Sequence, residues 1–206
     1  MNAEPLISIV DDDDAFRNSL VLLVTSFGYR VAAYSSASEF LAAYDPQIPG
    51  CVIIDVQMPD TNGLTLQRSL AQRALQPAVI IMTAYAEVPI AVRAMHQGAV
   101  DFLQKTCPDT DLLDAICRAL ERDQVDRLEH ARKASIDERM SLLSPPEREV
   151  LGLVLQGNPN KNIAARLGVS ARTVEDRRAR IMHKLQVESV PELVSLAIQG
   201  GFCLQS

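Results

Sequence analysis

Five short apolar runs, Leu6–Val10, Tyr29–Tyr34, Cys51–Ile54, Ala78–Met82 and Val100–Leu103, recur through the first 122 residues with helix-length segments between them. This alternation constrains the fold more than any other feature of the chain. Short apolar runs bounded by turn signals match buried strands. Strands separated by helices pair in parallel, because each crossover brings the chain back to the same end of the sheet. Helices then cover both faces, so the strands read as nearly continuous apolar stretches. The clearest intervening helix carries Phe16, Leu20, Leu23, Val24 and Phe27 at i, i+4, i+7, i+8 and i+11 and closes at Gly28. The expected fold of this part is α/β, a five-stranded, parallel, doubly wound sheet.

In such sheets ligands bind beyond the carboxyl ends of the strands. The first run leads directly into Asp11-Asp12-Asp13-Asp14, and the run Cys51–Ile54 leads into Asp55. Asp11, Asp12 and Asp55 therefore meet on one rim. Three carboxylates there raise the cost of ionising one another unless a cation sits among them, and hard oxygen donors suit Mg²⁺. Asp13 and Asp14 have a plainer role at the start of the following helix, where carboxylates accept free N–H groups and suit the dipole. Thr83 ends the fourth run and Lys105 follows the fifth. A hydroxyl, an ammonium and a divalent cation around one carboxylate make a phosphoryl-transfer site, with Asp55 as nucleophile.

The 206 residues suffice for two small domains, and 48% hydrophobic with 22% charged residues is an ordinary globular composition. The net charge of −6 is uneven: residues 1–122 hold 15 acidic and 8 basic residues, residues 123–206 hold 11 and 12. Residues 160–184 alone carry seven Lys or Arg against Glu175 and Asp176. An acidic half beside a half with a basic stripe predicts two modules with different partners. Cys51, Cys107, Cys117 and Cys203 lack metal-site spacing and are expected as reduced thiols. No run approaches a bilayer span and none resembles a secretory leader, so no membrane association and a cytoplasmic location are expected.

Residues 109–140 read as a charged helix, and 123–143 as a helical linker. Beyond Ser144, four helical segments are predicted at about 145–156, 160–167, 171–185 and 190–199, punctuated by Asn158-Pro159, Gly168 and Pro191. The pair either side of Gly168 has the form helix, turn, helix. In the second of the pair, Val174, Ile181 and Leu185 share an inward face, and Thr173, Arg177, Arg180 and Lys184 share the opposing one. A helix lying in a DNA major groove needs that division.

The stretches IVDDDD, DVQMPDTNG, MTAYAEVPIAVRAM and GAVDFLQK resemble the receiver domain of bacterial two-component response regulators, a flavodoxin-like fold. The resemblance covers about residues 5–120. It implies that Asp55 takes a phosphoryl group from a sensor histidine kinase and that the domain is not itself an enzyme of turnover. It implies Mg²⁺ on Asp11, Asp12, Asp55 and the Gln57 backbone carbonyl, with Asp12 the more direct of the acidic pair. Thr83 matches the switch hydroxyl, Phe102 the switch aromatic and Lys105 the phosphate-binding lysine.

LSPPEREVLGLVLQG, NKNIAARLGVSARTVE and KLQVESVPELVSLAI resemble the four-helix, helix-turn-helix output domain of the LuxR/NarL type, and the whole chain resembles the FixJ-like regulators. The implied organisation is a receiver over 1–122, a linker over 123–143 and a double-stranded-DNA-binding domain over 144–206. Phosphorylation is expected to favour homodimerisation and promoter binding. Lys161, Ser170, Thr173 and Lys184 are expected at DNA phosphates, and Arg177 and Arg180 at base edges. Asp176 is expected either to pair with Arg172 or Arg180 or to accept from a cytosine amine. Two rivals carry different consequences. A constitutive DNA-binding regulator would have an inert receiver. A Mg²⁺-dependent phosphatase of the haloacid-dehalogenase type would need a second Asp two residues after the nucleophile, where Gln57 stands. One departure from the receiver pattern is Lys105-Thr106-Cys107-Pro108, in place of Lys-Pro. A trans bond is expected there, with the loop either displacing the Lys105 ammonium or absorbing the change locally.

Overall fold

A computed structural model of the chain describes residues 4–59 and 61–201. Cys203 and the end of the expected output domain, 202–206, lie outside the described residues, as do residues 1–3. The chain divides into two compact units, Met1–Leu128 and Glu129–Ser206.

The first unit alternates strand and helix: β1 (Leu6–Val10), α1 (Asp14–Ser26), β2 (Arg30–Tyr34), α2 (Ala37–Ala43), β3 (Gly50–Asp55), α3 (Gly63–Leu70), β4 (Ala78–Thr83), α4 (Val88–His96), β5 (Asp101–Gln104) and α5 (Asp109–Ser141). The strands form one all-parallel sheet in the order β2-β1-β3-β4-β5. Alternate residues of each central strand feed opposite faces. Ile7, Ile9, Cys51, Ile53 and Ile80 pack with Leu20 and Val24 of α1 and with Leu112 and Ile116 of α5. Val10, Val52, Ile54, Val79 and Ile81 pack with Phe40 of α2, Leu66 and Leu70 of α3, and Ala94 of α4. Every residue of β3 and β4 is buried, which is why those strands show no polar alternation. Fully burying such a side chain contributes about 1.5–3 kcal/mol.

Asp13 caps α1, its carboxylate accepting from the N–H groups of Ala15 and Phe16, while Asp14 pairs with Arg17. The strand order reverses between β1 and β3, which places their carboxyl ends, Asp11 and Asp55, side by side at the switch point. The start of α3 also reaches this rim. Gly63 lies so close that a Cβ there would stand 2.0 Å from the Asp55 carbonyl oxygen.

The second unit contains the end of α5 followed by α6 (Pro145–Leu155), α7 (Asn160–Leu167), α8 (Ala171–Leu185) and α9 (Val190–Gln199). Val150, Leu151, Ile163, Val174, Ile181, Leu185 and Leu193 form its core. Gly168 ends α7 in the left-handed region, φ +65°. Ser170 then caps α8 by accepting from the Thr173 N–H.

The segment 123–143, expected as a linker, is divided between the two units. In the first unit the buried Asp123 carboxylate accepts from the Gly50 N–H at 2.9 Å and from Arg127 Nε at 2.7 Å. Arg127 also donates to the carbonyls of Pro46 (2.9 Å), Gln47 (3.3 Å) and Ile48 (2.6 Å). In the second unit Ile136 and Leu143 are buried and Met140 packs on the core. Residues 128–134 are exposed throughout.

Candidate functional site

The expected rim residues converge. Asp11 and Asp55 are buried, Asp12 is exposed, and one oxygen from each lies within 4.8 Å of the others. Lys105 Nζ bridges the two buried carboxylates, at 2.7 Å from Asp11 Oδ2 and 2.9 Å from Asp55 Oδ2. It also stands 4.5 Å from the centre of the Phe16 ring, a cation–π contact. Burial raises the pKa of Asp11, and the hydrogen bonds from Lys105 and the Asp13 N–H oppose that rise. Burial works against the Lys105 ammonium, but its hydrogen bonds to Asp11 and Asp55 outweigh it and lift its pKa above the ordinary lysine value. One ammonium faces three carboxylates, so the hard-oxygen set retains negative charge suited to a small divalent cation.

The Lys105–Thr106 bond is trans, since no cis peptide occurs among the described residues. The loop does not displace the lysine. Lys105 N–H donates to the Thr83 carbonyl at 2.8 Å and Cys107 N–H closes a turn onto Gln104 at 3.0 Å, so the changed sequence is absorbed between residues 104 and 108. Of the two alternatives, local absorption is the one this geometry matches.

Thr83 is buried and faces its own loop: its Oγ1 accepts from the Tyr85 N–H at 3.2 Å and lies 3.4 Å from the Tyr85 carbonyl. Phe102 is half-buried against the core formed with α2, α3 and α4. The Gln57 N–H lies 3.3 Å from Asp55 Oδ1. Tyr85 is exposed, as are Val88, Val92 and Met95, which follow one another at i, i+4 and i+7 on α4.

In the second unit Lys161, Ser170 and Arg180 are exposed, and Thr173 and Arg177 are partly so. Ser170 and Thr173 pair through their hydroxyls at 2.8 Å. Lys184 differs from the expectation of a free cation. Its Nζ is 2.6 Å from the buried Glu147 Oε2 and 3.1 Å from the Leu142 carbonyl. A buried carboxylate demands a partner, and Lys184 supplies it. Asp176 makes no ion pair with Arg172 or Arg180 among the described residues, which leaves the cytosine alternative. Sequence reasoning missed the bond from Arg178 Nη1 to Asn160 Oδ1, 2.6 Å. It also missed the anchoring by Glu147, whose signal was legible in Ser144-Pro-Pro-Glu147, the spacing of a capping box. No helix among the described residues is long and apolar enough to cross a membrane.

Comparison with known proteins agrees with this geometry. Residues 7–117 match the family described as "Response regulator receiver domain", and residues 141–197 match "Bacterial regulatory proteins, luxR family". The chain is 41% identical over 195 residues to the transcriptional regulatory protein FixJ of Azorhizobium caulinodans, covering 95% of this chain and 92% of that protein. It is 40% identical over 196 residues to FixJ of Rhizobium meliloti, covering 95% and 96%. Among solved structures, the response regulator StyR aligns with a TM-score of 0.83 at 36% identity, covering 96% of this chain and all of that one. Both halves of the sequence thus find counterparts along nearly their full length, and these counterparts are named as regulators. The chain belongs to the FixJ-like two-component response regulators, a receiver domain followed by a LuxR-type DNA-binding domain.

Proposed function

We propose that Asp55 is the phospho-acceptor of this regulator and that its phosphorylation switches DNA binding. The observation that carries this reading is the Lys105 ammonium held between Asp11 and Asp55 within the three-carboxylate cluster. An Asp55 oxygen attacks phosphorus on the phosphohistidine of a sensor kinase, an O–P bond forms as the N–P bond breaks, and the imidazole leaves. Lys105 neutralises charge on the transferred group. Asp11, Asp12, Asp55 and the Gln57 carbonyl are the residues that would hold Mg²⁺, which when bound supplies further charge neutralisation.

The added charge of about −1.5 to −2 draws Thr83 from its contacts with Tyr85 towards the phosphoryl oxygens, and Phe102 moves into the space it leaves. That shift biases the face formed by α4, β5 and α5, which dimerises. Two α8 helices then meet half-sites about one DNA turn apart. Lys161, Ser170 and Thr173 bind phosphates and Arg177 and Arg180 base edges, while α9 serves dimerisation in the output domain. On this reading the protein acts in the cytoplasm, in one covalent switch rather than in turnover. The residues around Asp55 argue against an inert receiver, and Gln57 in place of an acidic residue argues against a phosphatase.

The test is incubation with acetyl phosphate and Mg²⁺ followed by intact-mass measurement. One phosphoryl group is expected on the wild type and none on Asp55→Asn. Full labelling of that variant would overturn the assignment.

A further inference from the structure

Helix α8 carries five arginines or lysines beyond its first residue, Arg172, Arg177, Arg178, Arg180 and Lys184, and they divide into two groups. Arg178 and Lys184 are turned onto the scaffold, Arg178 to Asn160 at the start of α7 and Lys184 to Glu147 at the start of α6. Arg172, Arg177 and Arg180 have no ion pair among the described residues. We infer that Lys184 and Glu147 form a positioning pair, which fixes the end of the recognition helix against α6, and that Lys184 binds no DNA phosphate. This deepens the proposed DNA-binding reading and rests on it.

Glu147 is the centre of the arrangement. Its side chain is 4% exposed, and Oε2 accepts from Lys184 Nζ at 2.6 Å and from the Ser144 N–H at 2.8 Å. The same ammonium donates to the Leu142 carbonyl at 3.1 Å. One cation thus ties the segment leading into α6 to the last turn of α8, where positive charge also suits the helix dipole. Arg139 Nη1 adds a second tie to that end, 3.3 Å from the Leu185 carbonyl. Moving the ammonium to a phosphate would strand a buried carboxylate beside the polyanion, the costly half of a broken ion pair.

The experiment uses the full chain with acetyl phosphate and Mg²⁺, and a labelled 30-base-pair duplex of random sequence, titrated across a salt series. Each phosphate contact removed lowers the slope of log K against log salt by about 0.9. Lys161→Gln serves as the reference for an outward, phosphate-binding cation. Lys184→Gln is expected to leave the slope at the wild-type value and to lower the melting temperature of the output unit by about 6–24 °C. Glu147→Gln is expected to give a similar melting loss and weaker binding, and the double variant little further loss, because the pair acts as one unit. A slope for Lys184→Gln that falls like that of Lys161→Gln would overturn the inference. So would tighter, steeper binding by Glu147→Gln, the sign expected if the glutamate merely restrained a DNA-binding lysine. Should the wild type bind no duplex, the DNA-binding reading fails, and the melting cycle still decides on the pair: additive losses refute it. Lys184→Arg, which keeps charge and donors, should recover most of the melting temperature.

Discussion

At the scale of single residues, charge is the organising quantity of both units. Asp11 and Asp55 share one ammonium, Lys105, and Asp12 adds a third carboxylate beside them, so the receiver carries a repulsion that a bound cation would relieve. Mg²⁺ is expected to raise its melting temperature progressively with concentration, as any ligand of the folded state must. Asp12→Asn should blunt that response and melt no lower than the wild type in metal-free buffer, since it removes an exposed, uncompensated carboxylate. A wild-type melting temperature indifferent to Mg²⁺, measured by calorimetry, would contradict this. Glu147 gives the opposite case. The Lys184 hydrogen bond, opposed by burial and helped by Ser144, holds its pKa at about 2, against 4.5 ordinarily. The folded value is the lower one, so the stabilisation is complete above about pH 4.5 and drains away as pH falls towards 2. Hydrogen bonds to charged groups contribute about 1.5–3 kcal/mol. The stability gap between wild type and Glu147→Gln should therefore be of that order at pH 6 and shrink below pH 4.5, followed by denaturant unfolding. These two sites were unequally legible. The rim carboxylates follow apolar runs that place them, whereas Lys184 shares a helical face with Arg177 and Arg180 and only tertiary packing reveals its buried partner.

At the scale of elements, the central strands and the four output helices stood out in the sequence because β3 and β4 are apolar up to their last residues and Gly168 and the Asn-Pro step punctuate the helices. Strand ends were less clear: Asp55 and Thr83 are the last residues of their strands rather than the first beyond them. Polar residues at strand ends carry no periodic signal. The start of α3 illustrates a constraint that only the structure exposes. Gly63 donates its N–H to the Val56 carbonyl at 3.0 Å, and any Cβ would strike the Asp55 carbonyl oxygen and carbon at 2.0 and 2.9 Å. The obstruction is backbone, which cannot swing aside as a side chain would. Gly63→Ala should cost at least the 1–3 kcal/mol typical of overpacking and shift Asp55. Thermal melting and the rate of acetyl phosphate labelling should fall together. A variant that labels normally would show that α3 can retreat without moving the site.

At the scale of the whole molecule, an acidic receiver and a basic output stripe divide kinase recognition from DNA recognition, and in the function proposed above dimerisation joins them. Val88, Val92 and Met95 leave an apolar stripe on α4 exposed in the single chain. Sedimentation should show the mass double on adding acetyl phosphate and Mg²⁺. Val92→Asp should accept the phosphoryl group and remain monomeric; a fully dimeric variant would place the interface elsewhere. The expected 123–143 linker was legible as helix and not as property of its neighbours, because Asp123 and Arg127 look like ordinary solvated charges until their partners at Pro46, Gln47, Ile48 and Gly50 are seen. That clamp bears on how regulators of this kind exchange modules. A recombination junction placed after residue 117 or 122 would leave the Gly50 N–H and three loop carbonyls without acceptor or donors, and one placed after 136 would take the buried Ile136 from the second unit. Between Arg127 and Ile136 lie only residues 128–135, eight residues at which a new output domain can be spliced on without damaging either inheritance.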